Sequence, residues 1–296
     1  MARANGQGIR AGAVAAAAAA AVAGTVWAVA SFVGPGQGAG QQPEHANASR
    51  RSEAPGAQGT PGTPGNPAAP DDGAKGGDAQ GAGGAPQSGI PEDIAHASES
   101  GGDAVNITID DGPDPQWTPK VLAVLKKHDV KATFCMIGPQ AKAHPDLVKR
   151  VVAAGHRLCD HTTDHDTGMG KKPVAYQERQ ILDAKKMIED AAGGGAEVEY
   201  YRAPGGAFTP DSRRIAAANG MRPLGWNVDT KDFGKPGAAA IVKAVKSEIG
   251  NGPTVLFHDG GGNRAQTVEA LDQVLAWLKD QGRPTGFPVR TAPDGS

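Results

Sequence analysis

Two adjacent carboxylates follow an apolar run in the sequence TIDDGP at residues 108–113. In water, neighbouring carboxylates such as Asp110 and Asp111 repel each other, and Asp-Gly-Pro is also an ordinary turn sequence. The doublet becomes chemically useful if the two acids have different partners. One acid could then bind a cation while the other accepts a proton.

A histidine pair supplies the first candidate partner. The sequence HTTDH places His161 and His165 four residues apart, a spacing that lets two imidazoles face one point. The chain has eight histidines, so a surface pair with this spacing can also arise by chance. Two histidines and one aspartate, however, form a three-ligand set that leaves an open position for water, as in catalytic zinc sites.

An arginine supplies the second candidate partner. Arg202 follows an apolar run and precedes a Pro-Gly-Gly turn in RAPGG. It could pair with the acid that does not bind metal, keeping that acid ionised and oriented. The ordinary alternative for Arg202 is a surface salt bridge, which the apolar run before it makes less favourable.

The elements that must position these residues form a repeating pattern from about residue 100. Seven apolar runs alternate with helical patterns; the runs cover 104–109, 131–138, 156–162, 197–204, 221–228, 253–259 and 287–291. Such alternation predicts a parallel sheet covered by helices, here a (β/α) barrel one unit short of eight. An open doubly wound sheet is the alternative, but no glycine-rich phosphate loop follows the first strand.

The polar residues fall at the ends of successive predicted strands. Besides the acid doublet, they are His161, Arg202, Asp229, His258 and Asp259. In a parallel barrel the carboxyl ends of all strands converge on one rim, where active sites form. The sequence therefore predicts that these side chains meet.

The first third of the chain has a different composition. Arg3 and Arg10 precede a charge-free, alanine-rich stretch, so we predict that residues 1–33 form an export signal, either cleaved or kept as a membrane anchor. Residues 34–89 contain no Val, Ile, Leu, Met, Phe, Tyr, Trp or Cys and cannot bury a core. We therefore predict a disordered Gly/Pro/Ala-rich linker at 34–100 and a folded domain at 101–296. Export would place this domain outside the cell or on its surface, with membrane contact only through the N-terminal segment.

Charge and cysteine content narrow the partners. The net charge is −2 with both signs mixed, which gives no indication of a nucleic-acid partner. We expect a monomer. Cys135 and Cys159 are the two cysteines, and after export they could form a disulfide or remain buried thiols.

Five ordered motifs together resemble those of the polysaccharide deacetylases of the NodB-homology type, carbohydrate esterase family 4. They are TIDDGP at 108–113, HTTDH at 161–165, RAPGG at 202–206, DTKD at 229–232 and LFH at 256–258. Two positions depart from the family pattern. Gly205 stands where the family often has an aromatic residue, and Phe233 replaces a tryptophan.

The resemblance implies a deformed (β/α)7 barrel as the catalytic domain. It also implies zinc, or another divalent transition metal such as Co²⁺, and removal of N-acetyl groups from a peptidoglycan or chitin-type glycan. By this resemblance Asp111, His161 and His165 hold the metal, Asp110 is the base and His258 is the acid.

The resemblance assigns supporting roles to the remaining motif residues. Arg202 would steady Asp110, and Asp232 would pair with His258, with Asp229 as a rival for that pairing or a substrate contact. The Gly205 N–H would serve an oxyanion, and Phe233 would form an apolar wall. An O-acetyl xylan esterase using the same site and a non-catalytic carbohydrate-binding wall protein are the alternative functions.

Overall fold

The computed structural model of the protein describes residues 89–294. The predicted export signal at 1–33 and the predicted linker up to residue 88 lie outside this range. Among the described residues, none of the helices combines the length and the apolar character needed to cross a membrane.

Within residues 89–294, eight short strands form one sheet, and seven α-helices pack against it. The strands are β1 (Val105–Asp110), β2 (Thr133–Met136), β3 (Arg157–Asp160), β4 (Val198–Tyr201), β5 (Arg222–Pro223), β6 (Val228–Asp229), β7 (Thr254–His258) and β8 (Thr285–Gly286). The helices are α1 (Thr118–Lys127), α2 (Gly138–Ala143), α3 (Pro145–Ala153), α4 (Val174–Ala192), α5 (Pro210–Ala218), α6 (Ala238–Glu248) and α7 (Ala265–Asp280). The order β5-β4-β3-β2-β1-β7-β6 is parallel throughout, with β8 beside β1. This is the predicted deformed (β/α)7 barrel, with β5 and β6 as its two end strands.

Strand β1 explains how the barrel separates a core from a site. Successive side chains of a strand point to opposite faces. The side chains on one face, Val105, Ile107 and Ile109, belong to the main apolar core. On the other face, Thr108 donates a hydrogen bond to the Val255 carbonyl at 2.8 Å, and Asp110 follows two residues later. The last residue of β1 is therefore an acid directed away from the helix-covered core.

The predicted strand at 221–228 is in fact two short strands, β5 and β6. Between them the chain leaves the ladder, and Leu224 pairs instead with Ala95 in an isolated parallel bridge. The carbonyl groups of Leu224 and Gly225 accept hydrogen bonds from the buried Arg202 guanidinium at 3.1 and 2.9 Å. The predicted last strand at 287–291 is also displaced, because β8 ends at Gly286 and Pro288 makes only a single bridge to Ser98.

The folded domain begins before the predicted boundary at residue 101. Ile90 and Ala95 are buried. The backbone N–H groups of His96 and Ala97 donate to one carboxylate oxygen of Asp294 at 2.8 and 2.7 Å. Composition places residues 90–100 in the linker, but their partners, such as Leu224 for Ala95 and Asp294 for His96, are distant in sequence, where composition cannot reveal them.

Cys135 and Cys159 lie directly opposite each other on β2 and β3 and form a disulfide, with their Cα atoms 4.1 Å apart. The sequence left this pairing open. Cys135 is also the register partner of Asp110 on β1, so the disulfide lies next to the predicted site.

Candidate active site

Asp110 and Arg202 form a buried ion pair at the carboxyl end of the barrel. The Arg202 guanidinium donates to Asp110 Oδ1 at 2.6 Å and to Thr108 Oγ1 at 3.0 Å. Asp110 is 2% exposed and Arg202 is fully buried. Burial raises the pKa of Asp110, the charge of Arg202 opposes this effect, and the net shift is upward. Asp110 is thus an oriented carboxylate that is a stronger base than an exposed aspartate.

Asp111 faces the two histidines. Its Oδ1 atom lies 3.6 Å from His161 Nε2 and 3.3 Å from His165 Nε2. Asp111 has a positive φ of 74°, which turns it away from the direction that β1 gives to Asp110. Asp110 Oδ2 also lies 3.6 Å from His161 Nε2. The two acids differ in their other partners, since Asp110 is bound by Arg202 whereas Asp111 lies near His165. Their separate roles as base and metal ligand stay a prediction.

The donor set of Asp111, His161 and His165 fits a divalent cation. One ligand atom from each residue lies within 4.8 Å of the other two. Asp111 Oδ1 is buried without a hydrogen-bond partner within the described range, which is costly unless another group binds it. Carboxylate oxygen and imidazole nitrogen are ligands that zinc accepts.

The orientation of His161 also suits metal binding. Its Nδ1 lies 2.8 Å from the Arg202 carbonyl oxygen, an acceptor, so Nδ1 carries the proton and Nε2 is left for the site. Burial lowers the pKa of His161 to about 3, against the opposing charge of Asp111. The ring is therefore neutral near pH 7, as a metal ligand must be.

His258 and Asp232 form the second pair of the site. His258 Nδ1 lies 2.6 Å from Asp232 Oδ1, and the His258 backbone N–H donates to Asp232 Oδ2 at 2.9 Å. Burial lowers the pKa of His258, but the hydrogen bond and charge of Asp232, together with the charges of Asp110 and Asp111, outweigh burial and the net pKa is raised. His258 is the register partner of Asp110 across β1 and β7, so the two pairs flank each other.

Asp229, the rival for the pairing with His258, is engaged elsewhere. Its carboxylate binds the Lys231 ammonium at 2.6 Å and accepts from the Lys231 backbone N–H at 3.0 Å. Asp232 instead is almost fully buried beside His258 and also accepts from Thr267 Oγ1 at 2.9 Å. The structure therefore selects Asp232 as the partner of His258 and gives Asp229 no contact with it.

The two positions that depart from the family pattern lie at the edge of the site. The Phe233 ring is 53% exposed and meets the His258 ring edge-on, with centroids 5.8 Å apart. Gly205 has a φ of 60°, and a β-carbon there would contact Thr167, two residues after His165. Phe233 thus lies beside His258, and both its role as an apolar wall and the oxyanion role of the Gly205 N–H stay predictions.

Sequence reasoning gave no role to Asp259, which lies under the acid doublet. It is fully buried, and its Oδ2 accepts a hydrogen bond from Thr118 at 2.5 Å. Burial raises the pKa of Asp259 to about 7. A side chain on Gly112 would collide with this carboxylate, which explains the glycine after the doublet. The sequence feature that could have pointed to Asp259 is its position directly after His258, at the carboxyl end of β7.

Comparison with known proteins agrees with this geometry. A polysaccharide deacetylase family model matches residues 97–224. The chain is 38% identical over 208 residues to a chitooligosaccharide deacetylase of Sinorhizobium fredii, covering 66% of this chain and 93% of that protein. It is 38% identical over 180 residues to a peptidoglycan-N-acetylglucosamine deacetylase of Bacillus cereus, covering 60% of this chain and 83% of that protein.

A solved structure adds a contrast. A family 4 carbohydrate esterase pseudoenzyme from Bacillus anthracis superposes with a TM-score of 0.58 at 31% identity, covering 62% of this chain and 63% of that chain. The chain belongs to the polysaccharide deacetylase family, carbohydrate esterase family 4. Since this family includes a pseudoenzyme, catalysis depends on which residues occupy the site.

We predict that Asp232→Asn lowers the pKa of His258, because it removes the largest of the negative charges that oppose the effect of burial on the ring. NMR titration of the imidazole, assigned by comparison with His258→Gln, measures this directly. Asp229→Asn is the matched control and should leave the titration unchanged. A His258 pKa that falls in the Asp229 variant but not in the Asp232 variant would contradict the assigned pair.

Proposed function

We propose that the protein is an exported, metal-dependent hydrolase that removes N-acetyl groups from an N-acetylglucosamine-containing glycan of the peptidoglycan or chitin type. One observation carries this proposal. A metal-compatible group of Asp111, His161 and His165 lies beside an oriented carboxylate, Asp110. The register partner of Asp110 on β7 is His258, an imidazole paired with a buried acid. The activities named for the curated relatives support the same substrate class.

The two pairs divide the proton transfers of amide hydrolysis. A cation held by Asp111, His161 and His165 would supply Lewis acidity that polarises the acetamide carbonyl. Asp110, fixed through Oδ1 by Arg202, accepts the proton of the attacking water. His258, held through Nδ1 by Asp232, donates its Nε2 proton to the departing amine. Acetate and a free amino sugar are the products.

The pairing of the acid His258 with Asp232 favours an amide substrate over an ester. An amine leaves only after it is protonated, whereas the alkoxide of an ester needs less help from an acid. Asp232 raises the pKa of His258, and so keeps the imidazole protonated to a higher pH than an isolated histidine. This arrangement suits N-acetyl groups, and the exposed Phe233 ring beside His258 offers a face for a sugar.

We predict that the full chain releases acetate from N-acetylated chitin oligomers or peptidoglycan, and that a chelator abolishes release until zinc is added back. An acetate assay over these glycans and acetylxylan, each with and without the chelator, measures it. Release from acetylxylan alone would replace the proposal with the esterase, and no release from any substrate with zinc present would indicate a binding protein.

The Asp110→Asn variant is the internal control of this assay. It should bind zinc like the unaltered protein but lose turnover by about 10²–10⁴-fold, because water activation needs the base. Elemental analysis of the same samples separates loss of chemistry from loss of metal. Turnover close to that of the unaltered protein would remove Asp110 from the mechanism.

Export and a surface location are part of the proposal. The basic residues before the alanine-rich stretch at 11–33 favour export, and the Cys135–Cys159 disulfide suits an oxidising compartment. We predict that cell fractionation finds the folded domain in the medium or on the cell surface. Recovery in the cytoplasm alone, with both thiols reduced, would contradict this location.

A further inference from the structure

The two histidines of the metal group are held in different ways. His161 is buried, and its ring is fixed by the Arg202 carbonyl. The His165 side chain is 37% exposed, and within residues 89–294 no hydrogen bond fixes its ring. Its direction therefore depends on the backbone of the loop between the two histidines.

That loop has an unfavourable backbone. Thr162 has a φ of 68° and His165 a φ of 51°, in the left-handed region that a β-branched threonine rarely adopts. Such residues cost on the order of 1–3 kcal/mol each and persist only where the surroundings hold them. Asp160 Oδ1 holds the start of the loop by accepting from the Thr162 N–H at 2.6 Å. The His165 backbone N–H is held from within the loop, since it donates to Thr162 Oγ1 at 3.2 Å. Thr163 and Asp164, between these two residues, need a support from outside the loop.

Gln180 on α4 provides this support. Its Oε1 accepts from Thr163 Oγ1 at 2.6 Å and from the Asp164 backbone N–H at 3.0 Å. Its Nε2 donates to Asp164 Oδ2 at 2.6 Å. Gln180 is only 6% exposed, so these bonds form with little competition from water. One buried amide thus binds both residues that directly precede His165.

We propose that Gln180 is a positioning residue for the metal centre, holding the 162–165 loop so that the His165 imidazole faces Asp111 and His161. The inference rests on the proposed function, since it requires that these three residues bind a cation. Loss of a partner that orients a metal ligand typically weakens metal affinity 10–100-fold. Gln180 itself touches neither the cation ligands' side chains nor the reacting groups.

Gln177 is a matched control on the same helix. It lies three residues earlier on α4 and is 3% exposed. Both ends of its amide are also hydrogen-bonded: Nε2 donates to the Lys172 carbonyl at 2.9 Å, and Oε1 accepts from Thr209 Oγ1 at 2.7 Å. Neither partner belongs to the histidine loop. Replacing Gln177 therefore removes a buried amide without removing the support for His165.

The test is a zinc titration of the full chain against a competing chelator. Gln180→Ala should raise the zinc dissociation constant about 10–100-fold, whereas Gln177→Ala should leave it within about twofold. Acetate release by Gln180→Ala should recover when zinc is saturating, because Asp110 and the His258–Asp232 pair are intact in this variant. Equal zinc affinity in Gln180→Ala and the unaltered protein would overturn the inference, and so would equal losses in both glutamine variants.

A donor swap keeps the test decisive if Gln180→Ala does not fold. Gln180→Glu retains the two acceptor contacts but places a carboxylate against Asp164, so zinc affinity should fall. Adding Asp164→Asn restores a donor opposite the new carboxylate, and affinity should return to near the original value. No recovery in the double variant would count against the loop contact. An unaltered protein that binds no zinc would instead reject the proposed function itself.

Discussion

The buried guanidinium of Arg202 is the interaction on which the rest of the site depends. It donates to Asp110 and Thr108 on the first strand and to two carbonyls of the 224–225 segment, where the chain leaves the ladder. The Arg202 carbonyl also fixes the His161 ring. One residue therefore connects the base, a metal ligand and the irregular end of the barrel. Removing one member of such a buried charge pair typically costs about 3–5 kcal/mol, because the other charge is left without a partner.

The division of labour in the acid doublet follows from backbone geometry. Strand alternation directs the Asp110 side chain to the same face as Thr108, where the Arg202 guanidinium binds both side chains. The chain then turns at Asp111, whose positive φ directs its carboxylate to the histidines. Gly112 and Gly260 leave room for this turn, since a β-carbon at either position would collide with Asp259 or with the Asp111 backbone. Two identical side chains thus acquire different chemistry from adjacent positions.

Much of this arrangement could be predicted because it follows from periodicity and strand ends. Five site residues lie at the carboxyl end of a strand of a parallel barrel or one residue after it, so their convergence required no tertiary detail: Asp110, Asp111, His161, Arg202 and His258. The sequence could not separate Asp229 from Asp232, because that choice depends on which carboxylate is buried and which meets Lys231.

Other features escaped prediction because their partners are distant in sequence. The segment at 90–100 packs against residues near the C-terminus, and the contacts of Arg202 with residues 224–225 interrupt a run that looks like one strand. Gln180 reads as an ordinary helical glutamine until α4 is placed against the histidine loop. Local pattern thus locates the residues that do chemistry, whereas the residues that hold them in place emerge only from the packed structure.

In the proposed site a cation binds Asp111, His161 and His165, while Asp110 stays bound to Arg202 and free of metal. Anomalous diffraction at the zinc absorption edge, from crystals grown with zinc, locates the cation and its ligands. We expect one strong peak ligated by those three side chains, with the Asp110–Arg202 pair intact. A peak ligated by Asp110, or no peak among these residues at saturating zinc, would rule this arrangement out.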